Sequence, residues 1–285
     1  DDDTERFSHD PYRMVTADGS VRWVTDNTKI IREGGEITHY LGYLVGVTDR
    51  KRLEQSLREN EQSIRDVTTV AADTDRSFQE KLTAILDIGC ERLDLPLGFL
   101  NKLDSDTQHV IEAVGSHPNI QAGESAPRSK GYCRKTVEQD VPLTVQNAVN
   151  EGWEDDPAYE AFDLGCYIGG RVVVNGDTYG SLCFADREGR DKQFDELEQA
   201  FVELLVQWVS YELASQKVET KLRELNETAQ RLLSAGDAEE VSSIAIESAN
   251  EVLGLPLTGI WYYDGSTDTL VPDGVTDEVR DVLDE

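Results

Sequence analysis

Basic residues are scarce in this chain of 285 residues. Lys and Arg number 27 against 57 Asp and Glu, which sets the formal net charge at −30 at pH 7. A surface of this sign repels phosphate, so we expect no direct contact with nucleic acid. The acidic residues are spread along the chain, and molar salt screens their repulsion because its Debye length is ~3 Å. The composition therefore favours a halophile's protein over an ordinary acidic one.

Long apolar runs and paired cysteines are also missing. No apolar stretch approaches the ~20 residues that span a bilayer, and no signal-peptide pattern is present, so we expect a cytoplasmic protein without a membrane partner. The cysteines include no CxxC pair and no neighbouring histidine at metal-ligand spacing. We therefore expect no metal site, and free thiols at all four cysteines, Cys90, Cys133, Cys166 and Cys183.

A seventeen-residue segment occurs twice in the chain. "ERLDLPLGFLNKLDSDT" at 91–107 and "EVLGLPLTGIWYYDGST" at 251–267 align without a gap at an offset of 160 residues, and seven positions are identical. This period is that of a domain, because solenoid repeats have periods of ~20–50 residues. We expect two copies of one domain, with only the start of the second copy, at 237–285, within this sequence.

The segment 11–48 has the pattern of antiparallel strands. Two turn dipeptides, Asp18-Gly19 and Gly34-Gly35, separate the β-rich runs "YRMVTA", "VRWVTDNTKII" and "ITHYLGYLVGV". Such dipeptides are strong hairpin signals. Because three strands need a further packed face to be stable, we expect this sheet to lack an N-terminal complement.

From Asp49 the pattern becomes helical. Apolar residues recur at spacings of three and four from Leu53 to Ala71, and Asn60 occupies one position of this seam. A single Asn in such a seam fixes the register of a coiled coil. We predict a linker helix over 49–74 that forms a parallel homodimer through the Leu53–Ala71 seam; an amphipathic helix packed on its own domain is the alternative.

Residues 75–216 predict one mixed domain. A helix over 75–95 precedes strands at 97–103 and 109–114, a short helix at 132–138 and a last hairpin. A long helix follows, and its apolar seam from Leu197 to Leu232 is sustained over five heptads. We predict a second dimer contact there, with a linker helix over 217–236.

Three segments resemble known sensory families. "GSVRW" at 19–23 and "VTDRK" at 47–51, the exit into the next helix, resemble marks of the C-terminal half of a PAS domain, the PAC segment, which we place at 1–48. "YCRKTVEQDVPLTVQNA", "EGWEDDPAYE" and "CYIGGRVVVNGDTYGSLCFAD" in 75–216 resemble a complete GAF domain, and 237–285 resembles the start of another. The likeness is to haloarchaeal regulators of the bacterio-opsin activator type and to multi-domain sensor histidine kinases. It implies an α+β fold with a partial PAS sheet and an antiparallel GAF sheet flanked by helices.

The resemblance also implies a sensory role. The GAF domain would sense a small ligand or a redox event, and coiled-coil helices would relay it to an output domain not present in these residues. A transcription regulator is favoured over a histidine kinase as the output, and we predict no catalytic residues. A free methionine sulfoxide reductase and a structural dimerisation module are the alternatives. The identity of the ligand or cofactor is left open.

Cys133 is the candidate redox residue. It stands at the start of a predicted helix beside Arg134 and Lys135, and both features lower a thiol pKa. A redox-sensitive thiol is one interpretation, and a small buried residue is the other. Bilin attachment is disfavoured, since Arg134 replaces the histidine that typically follows the attachment cysteine.

The other pocket candidates come from the segments that resemble a GAF domain. Trp153 and Tyr159 either line the pocket or fill the core. A two-residue turn at Asn175-Gly176 would place Cys166 and Cys183 diagonally on one face, as a redox pair or as packed small hydrophobes. The predicted pocket residues are Tyr132, Cys133, Trp153, Tyr159, Cys166 and Ile168.

Overall fold

The structure is a computed structural model that describes residues 6–252, 254–255, 257–277 and 279–280. The repeat positions Leu253 and Pro256, and the outer ends of the predicted 1–48 and 237–285 domains, lie outside these residues. The strands are β1 Arg6–Ser8, β2 Tyr12–Val15, β3 Val21–Glu33, β4 Glu36–Gly46, β5 Leu97–Leu103, β6 Thr107–Val114, β7 Ser125–Pro127, β8 Leu143–Val145, β9 Cys166–Val174, β10 Asp177–Asp186, β11 Gly259–Asp264 and β12 Thr269–Val275. The α-helices are α1 Thr48–Ala72, α2 Phe78–Leu93, α3 Cys133–Thr136, α4 Pro157–Phe162, α5 Glu196–Ser234 and α6 Ala238–Glu251.

The chain divides into two compact units. The first consists of Asp1–Arg171 and Gly180–Val206, and the second of Val172–Tyr179 and Gln207–Glu285. None of the described helices combines the length and the apolar character that crossing a bilayer requires.

The first unit begins with a four-stranded antiparallel sheet. β3 pairs with β1 and β2 along one edge and with β4 along the other. The turns fall at the two predicted dipeptides, where Gly19, Gly34 and Gly35 all have positive φ. β1 is an additional strand that the sequence pattern did not predict. The side chains of β4 are exposed along its whole length, so this strand contributes no buried core within the described residues.

α1 connects this sheet to the rest of the first unit. At its start, the backbone N–H of Trp23 donates to Thr48 Oγ1 at 2.9 Å. Near its end, Val67 is buried and Lys81 of α2 donates to the carbonyl of Ala71 at 3.0 Å. The predicted seam is therefore buried only near its C-terminal end, while its N-terminal leucines, such as Leu53, are exposed.

The GAF-like segment 75–216 contains a six-stranded antiparallel sheet in the order β7-β6-β5-β10-β9-β8. α2 begins with a capping box between Ser77 and Glu80, as a helix start requires. This helix covers one face of the sheet: a methyl group on Gly89 would lie 2.3 Å from the Phe184 ring of β10, so only glycine fits there. Phe201 and Leu205 of α5 are buried as well, so the first turns of α5 belong to this domain.

The opposite face of the sheet carries a second core. Its side chains come from alternate positions of β5 and β10 and from the segments around α3 and α4. Its buried members are Leu97, Phe99, Val110, Ile120, Tyr132, Val145, Ala148, Trp153, Ala158, Phe162, Leu164, Tyr167, Cys183 and Ala185.

The second unit repeats the beginning of the first domain element by element. α6, β11 and β12 follow the order of α2, β5 and β6, and α6 starts at residue 238, which is 160 positions after residue 78. Even the caps correspond: Ser77 accepts from the N–H of Glu80, and Asp237 accepts from that of Glu240. The described residues of the two repeat segments therefore share their order of elements and their helix caps.

The residue after α2 offers a stability test from this repeat. Asp94 has a left-handed backbone (φ 53°), and the corresponding position of the second copy is Gly254 (φ 68°). Glycine adopts this conformation without the steric cost of a Cβ atom, so we expect Asp94→Gly to raise the free energy of unfolding by up to about 1 kcal/mol. Urea unfolding would measure the change. Asp94→Ala keeps the Cβ atom and serves as the control, and a glycine variant no more stable than the alanine variant would contradict the argument.

Candidate functional site

A small internal cavity lies beside the second core of the six-stranded sheet. Its volume is about 20 Å³. β5, β6 and β9 supply its floor, and the segments at α3 and α4 close it. The lining residues are Phe99, Asn101, Gln108, Val110, Ile120, Tyr132, Cys133, Phe162, Leu164 and Tyr167.

Two predicted pocket residues, Tyr132 and Cys133, line this cavity. The Tyr132 hydroxyl donates to the carbonyl of Leu164 at 2.9 Å, and the Cys133 thiol donates to Gln108 Oε1 at 2.6 Å. These bonds connect α3 to the loop after α4 and to β6. The first turn of α3 is thus positioned by hydrogen bonds of neutral groups.

The expectation that the pKa of Cys133 is lowered is wrong. Burial raises it to about 11, and the weaker opposing effects of Arg128 and Arg134 do not offset this. The thiol is only 2% exposed, and α3 has only four residues. The neighbouring cations Arg134 and Lys135 hydrogen-bond the carboxylate of Asp156 instead of the sulfur. The thiol is therefore neutral at pH 7 and acts as a hydrogen-bond donor.

The side chains of Trp153 and Tyr159 pack in the layer behind the residues that line the cavity. The Trp153 ring stacks on Tyr132 at 4.8 Å between centroids, and Tyr132 stacks on Tyr167 at 5.0 Å. Lys135 Nζ lies 3.9 Å from the centroid of the Trp153 ring on its outer side. Tyr159 is partly buried against the same core. Both residues belong to the core, and neither is part of the cavity lining.

Tyr167 is one of the lining residues that the sequence prediction missed. It is completely buried, and its hydroxyl lies 2.7 Å from Thr136 Oγ1 and 2.9 Å from Cys183 Sγ. Because side chains alternate along a strand, Cys166 and Ile168 point to the opposite face, and neither lines the cavity. The prediction that Cys166 and Cys183 share one face is therefore wrong.

Asn101 and Gln108 were also missed. Both are buried polar residues at inward positions of their strands, with Asn101 only 5% exposed. The Asn101 Oδ1 atom has no hydrogen-bond partner among the described residues. A polar residue in phase with the apolar positions of "LGFLN" and "TQHVIEAV" is the sequence signal that would have identified them.

An ion-pair clasp closes the outside of the site. Asp156, the N-cap of α4, accepts hydrogen bonds from Arg134 at 2.6 Å and from Lys135 at 3.0 Å. Burial alone would raise the pKa of Asp156, but the hydrogen bonds from Arg134, from the Ala158 N–H and from Lys135 outweigh it and lower the pKa to about 2. At the other end of α4, His117 Nε2 donates to the carbonyl of Phe162 at 2.8 Å. α4 is thereby held over the cavity at both ends.

The described residues offer no metal centre, since they contain no group of three or more His, Cys, Asp or Glu side chains placed to bind an ion.

Residues 77–213 match the GAF domain family. This segment is a GAF domain. Domains of this family are generally sensory or regulatory modules, and the six-stranded sheet with its flanking helices is the GAF fold.

Several solved structures are similar to this chain, all at low identity. The GAF domain of an Acinetobacter phosphoenolpyruvate-protein phosphotransferase is 14% identical (TM-score 0.46), with 58% of this chain and 97% of that one covered. The phycocyanobilin-bound GAF domain of a cyanobacterial phytochrome is 13% identical (TM-score 0.47; 56% and 96% covered). Free methionine-R-sulfoxide reductase from Neisseria meningitidis is 16% identical (TM-score 0.45; 57% and 93% covered). Among curated proteins, none matches the chain.

Three cysteines are buried and Cys90 is partly buried, so we expect slow thiol modification and a loss of stability in alkali. Burial raises all four thiol pKa values from 9.0, to about 11 for Cys133 and Cys166 and about 12 for Cys90 and Cys183. We expect iodoacetamide at pH 8 to modify the folded protein far more slowly than the urea-unfolded protein. Mass spectrometry would count the modified thiols over time. Rapid modification of Cys133 in the folded protein would contradict its burial.

The same pKa shifts determine how stability depends on pH. Thiols of the unfolded chain ionise near pH 9, whereas the folded thiols stay protonated to about pH 11, so stability is lost as pH rises across this interval. Each such thiol contributes up to about 1.4 kcal/mol per pH unit. Cys133→Ser removes one of these groups, so its free energy of unfolding should fall less steeply between about pH 9 and pH 11 than that of the wild-type chain.

Proposed function

We propose that this GAF domain binds a small molecule in the cavity beside Tyr167, and that the chain is the sensory part of a signal-transduction protein. One observation carries the proposal: a cavity inside the domain presents a buried carboxamide, Asn101, whose oxygen has no hydrogen-bond partner among the described residues. A buried polar group left unpaired costs about 1–3 kcal/mol, which a ligand hydrogen bond would recover. Apolar walls with a few polar groups are the usual composition of small-molecule sites.

The proposed relay runs through α5. Phe201 and Leu205 of this helix are buried in the GAF domain, and the same helix continues to Ser234. A ligand that favours one of two packings of the sheet against α5 would change the position of the helix. A transcription regulator is the favoured output, and a histidine kinase is the second. In this arrangement 1–48 is the PAC part of a PAS domain and 237–285 begins a second GAF domain.

Two other functions have weaker support. A thiol-dependent methionine sulfoxide reductase needs an accessible thiolate, whereas the cavity thiol of Cys133 is buried and neutral at pH 7. A redox sensor has the same requirement. Small-ligand binding without catalysis therefore fits the chemistry of the cavity better than either function.

The ligand proposal is tested by what the purified protein carries. Protein isolated in molar KCl would be denatured, and the released small molecules would be identified by mass spectrometry and absorption spectroscopy. We expect a released compound, and less of it from Val110→Ile, which adds one methylene group at the cavity wall. The absence of any released compound, together with no stabilisation by any small molecule in a thermal screen, would contradict the proposal.

We also propose a parallel homodimer through the Leu53–Ala71 and Leu197–Leu232 seams. The exposed apolar residues of α1 and α5 support it: Leu53, Leu57 and Ile64 on α1, and Tyr211, Val218 and Leu222 on α5 are all exposed. Asn60 Oδ1 is enclosed without a hydrogen-bond partner among the described residues, as a seam Asn would be before pairing with a second copy.

Light scattering in molar KCl would test the dimer. We expect twice the chain mass of 31.8 kDa at micromolar concentration. Leu57→Asp should shift the mass towards the monomer, because it places a charge in the apolar seam. Gln55→Asp, at an exposed position outside the seam, is the matched control and should leave the dimer intact. A monomeric wild-type chain would contradict the proposal.

The acidic surface supports a halophilic, cytoplasmic setting for this sensor. A net charge of −30 on a chain of this size destabilises the compact state by self-repulsion unless salt screens it. The same charge disfavours direct contact with nucleic acid, so we propose that a regulator of transcription would contact DNA through an output domain.

A further inference from the structure

Two carboxamide side chains lie side by side on the floor of the cavity. β5 and β6 pair with Asn101 opposite Val110, which places Gln108 diagonally across from Asn101. Diagonal neighbours of this kind are separated by about 7–8 Å between Cα atoms, within reach of one small molecule between their side chains. Both side chains line the same cavity.

The two carboxamides present complementary polar ends. Asn101 Oδ1 is an acceptor without a partner among the described residues. Gln108 Oε1 already accepts from the Cys133 thiol at 2.6 Å, so the polar group that Gln108 retains for a ligand is the Nε2 donor. A ligand that satisfies both residues must carry a donor for Asn101 and an acceptor for Gln108.

The rest of the lining excludes charge and bulk. None of the ten lining residues carries a charge, because the Cys133 thiol and the Tyr132 and Tyr167 hydroxyls are neutral at pH 7 through burial. An anion would enter this cavity without a compensating cation, at a high desolvation cost. The volume of about 20 Å³ admits only a few heavy atoms while α4 stays clasped.

We propose that the cavity recognises a small neutral primary amide through Asn101 and Gln108. This inference rests on the proposed function of the cavity as a ligand site. An amide carries an N–H donor and a carbonyl acceptor side by side, which is the pattern that the two residues complement. Tyr132 and Tyr167 would face the plane of the amide from the aromatic side of the cavity. Asn101 is the residue that determines specificity, because a ligand without a donor leaves its oxygen unpaired.

Three probes of nearly equal shape distinguish recognition of an amide from recognition of a carbonyl group alone or of an anion. Acetamide carries a donor and an acceptor, acetone carries only an acceptor, and acetate is an anion. Each has a methyl group whose proton resonance reports binding to the full chain by saturation-transfer NMR in molar KCl. We expect acetamide to bind at least about tenfold more tightly than acetone or acetate. Asn101→Leu should remove this preference, while Asn150→Leu, an exposed loop position outside the cavity, should keep it.

Each result decides the inference. Equal binding of acetamide and acetone, tighter binding of acetate, or a preference that survives in Asn101→Leu would overturn carboxamide recognition and leave the cavity as a ligand site of other chemistry. Failure of all three probes to bind the wild-type chain would also overturn it. The co-purified compound then decides the proposed function separately. The comparison of the three probes on the wild-type chain stands even where Asn101→Leu does not fold.

Discussion

The alternation of side chains along a β-strand is the constraint on which this GAF domain depends. Every second residue of β5, β9 and β10 faces α2 and α5, and the residues between them face the cavity. Phe184 therefore packs on Gly89 of α2, while its neighbour Cys183 contacts the Tyr167 hydroxyl on the other side. One sheet thereby holds a helical layer on one side and an aromatic, partly polar core on the other.

The second core tolerates its polar groups because it keeps them neutral and bonded. Tyr167 is completely buried, and its hydroxyl has Thr136 and Cys183 as partners. Ring stacking against Tyr132 stabilises the fold by roughly 0.5–1.5 kcal/mol, in addition to the hydrophobic contribution of the area that the rings bury. Asn101 Oδ1 breaks this rule, since it has no partner among the described residues. The exception lies in the wall of the cavity.

The charged groups of the site are kept outside the core. Asp156 joins α4 to Arg134 and Lys135 next to Cys133, so the cations that would have activated the thiol instead hold the cavity closed. The low pKa of Asp156 keeps this clasp ionised down to about pH 2, and its contribution to stability is lost as the pH falls from 3.8 to about 2. The segment 132–135 thus supplies both kinds of group. Tyr132 and Cys133 form a neutral part of the cavity wall, and the next two residues, Arg134 and Lys135, are the cations of the ion-pair clasp.

Local sequence patterns were sufficient to predict many of the strands and helices of this protein. The turn dipeptides, the seams of apolar spacing and the repeat at 160 residues predicted the hairpins, the long helices and the strand Leu97–Leu103, because these features depend on neighbouring residues alone. The tertiary structure decided which face each strand residue takes. A one-residue difference in register exchanges the two faces, so Tyr167 lines the cavity where Cys166 and Ile168 were expected. Burial likewise raised the pKa of Cys133 despite its basic neighbours, because desolvation depends on residues distant in sequence, which no local pattern records.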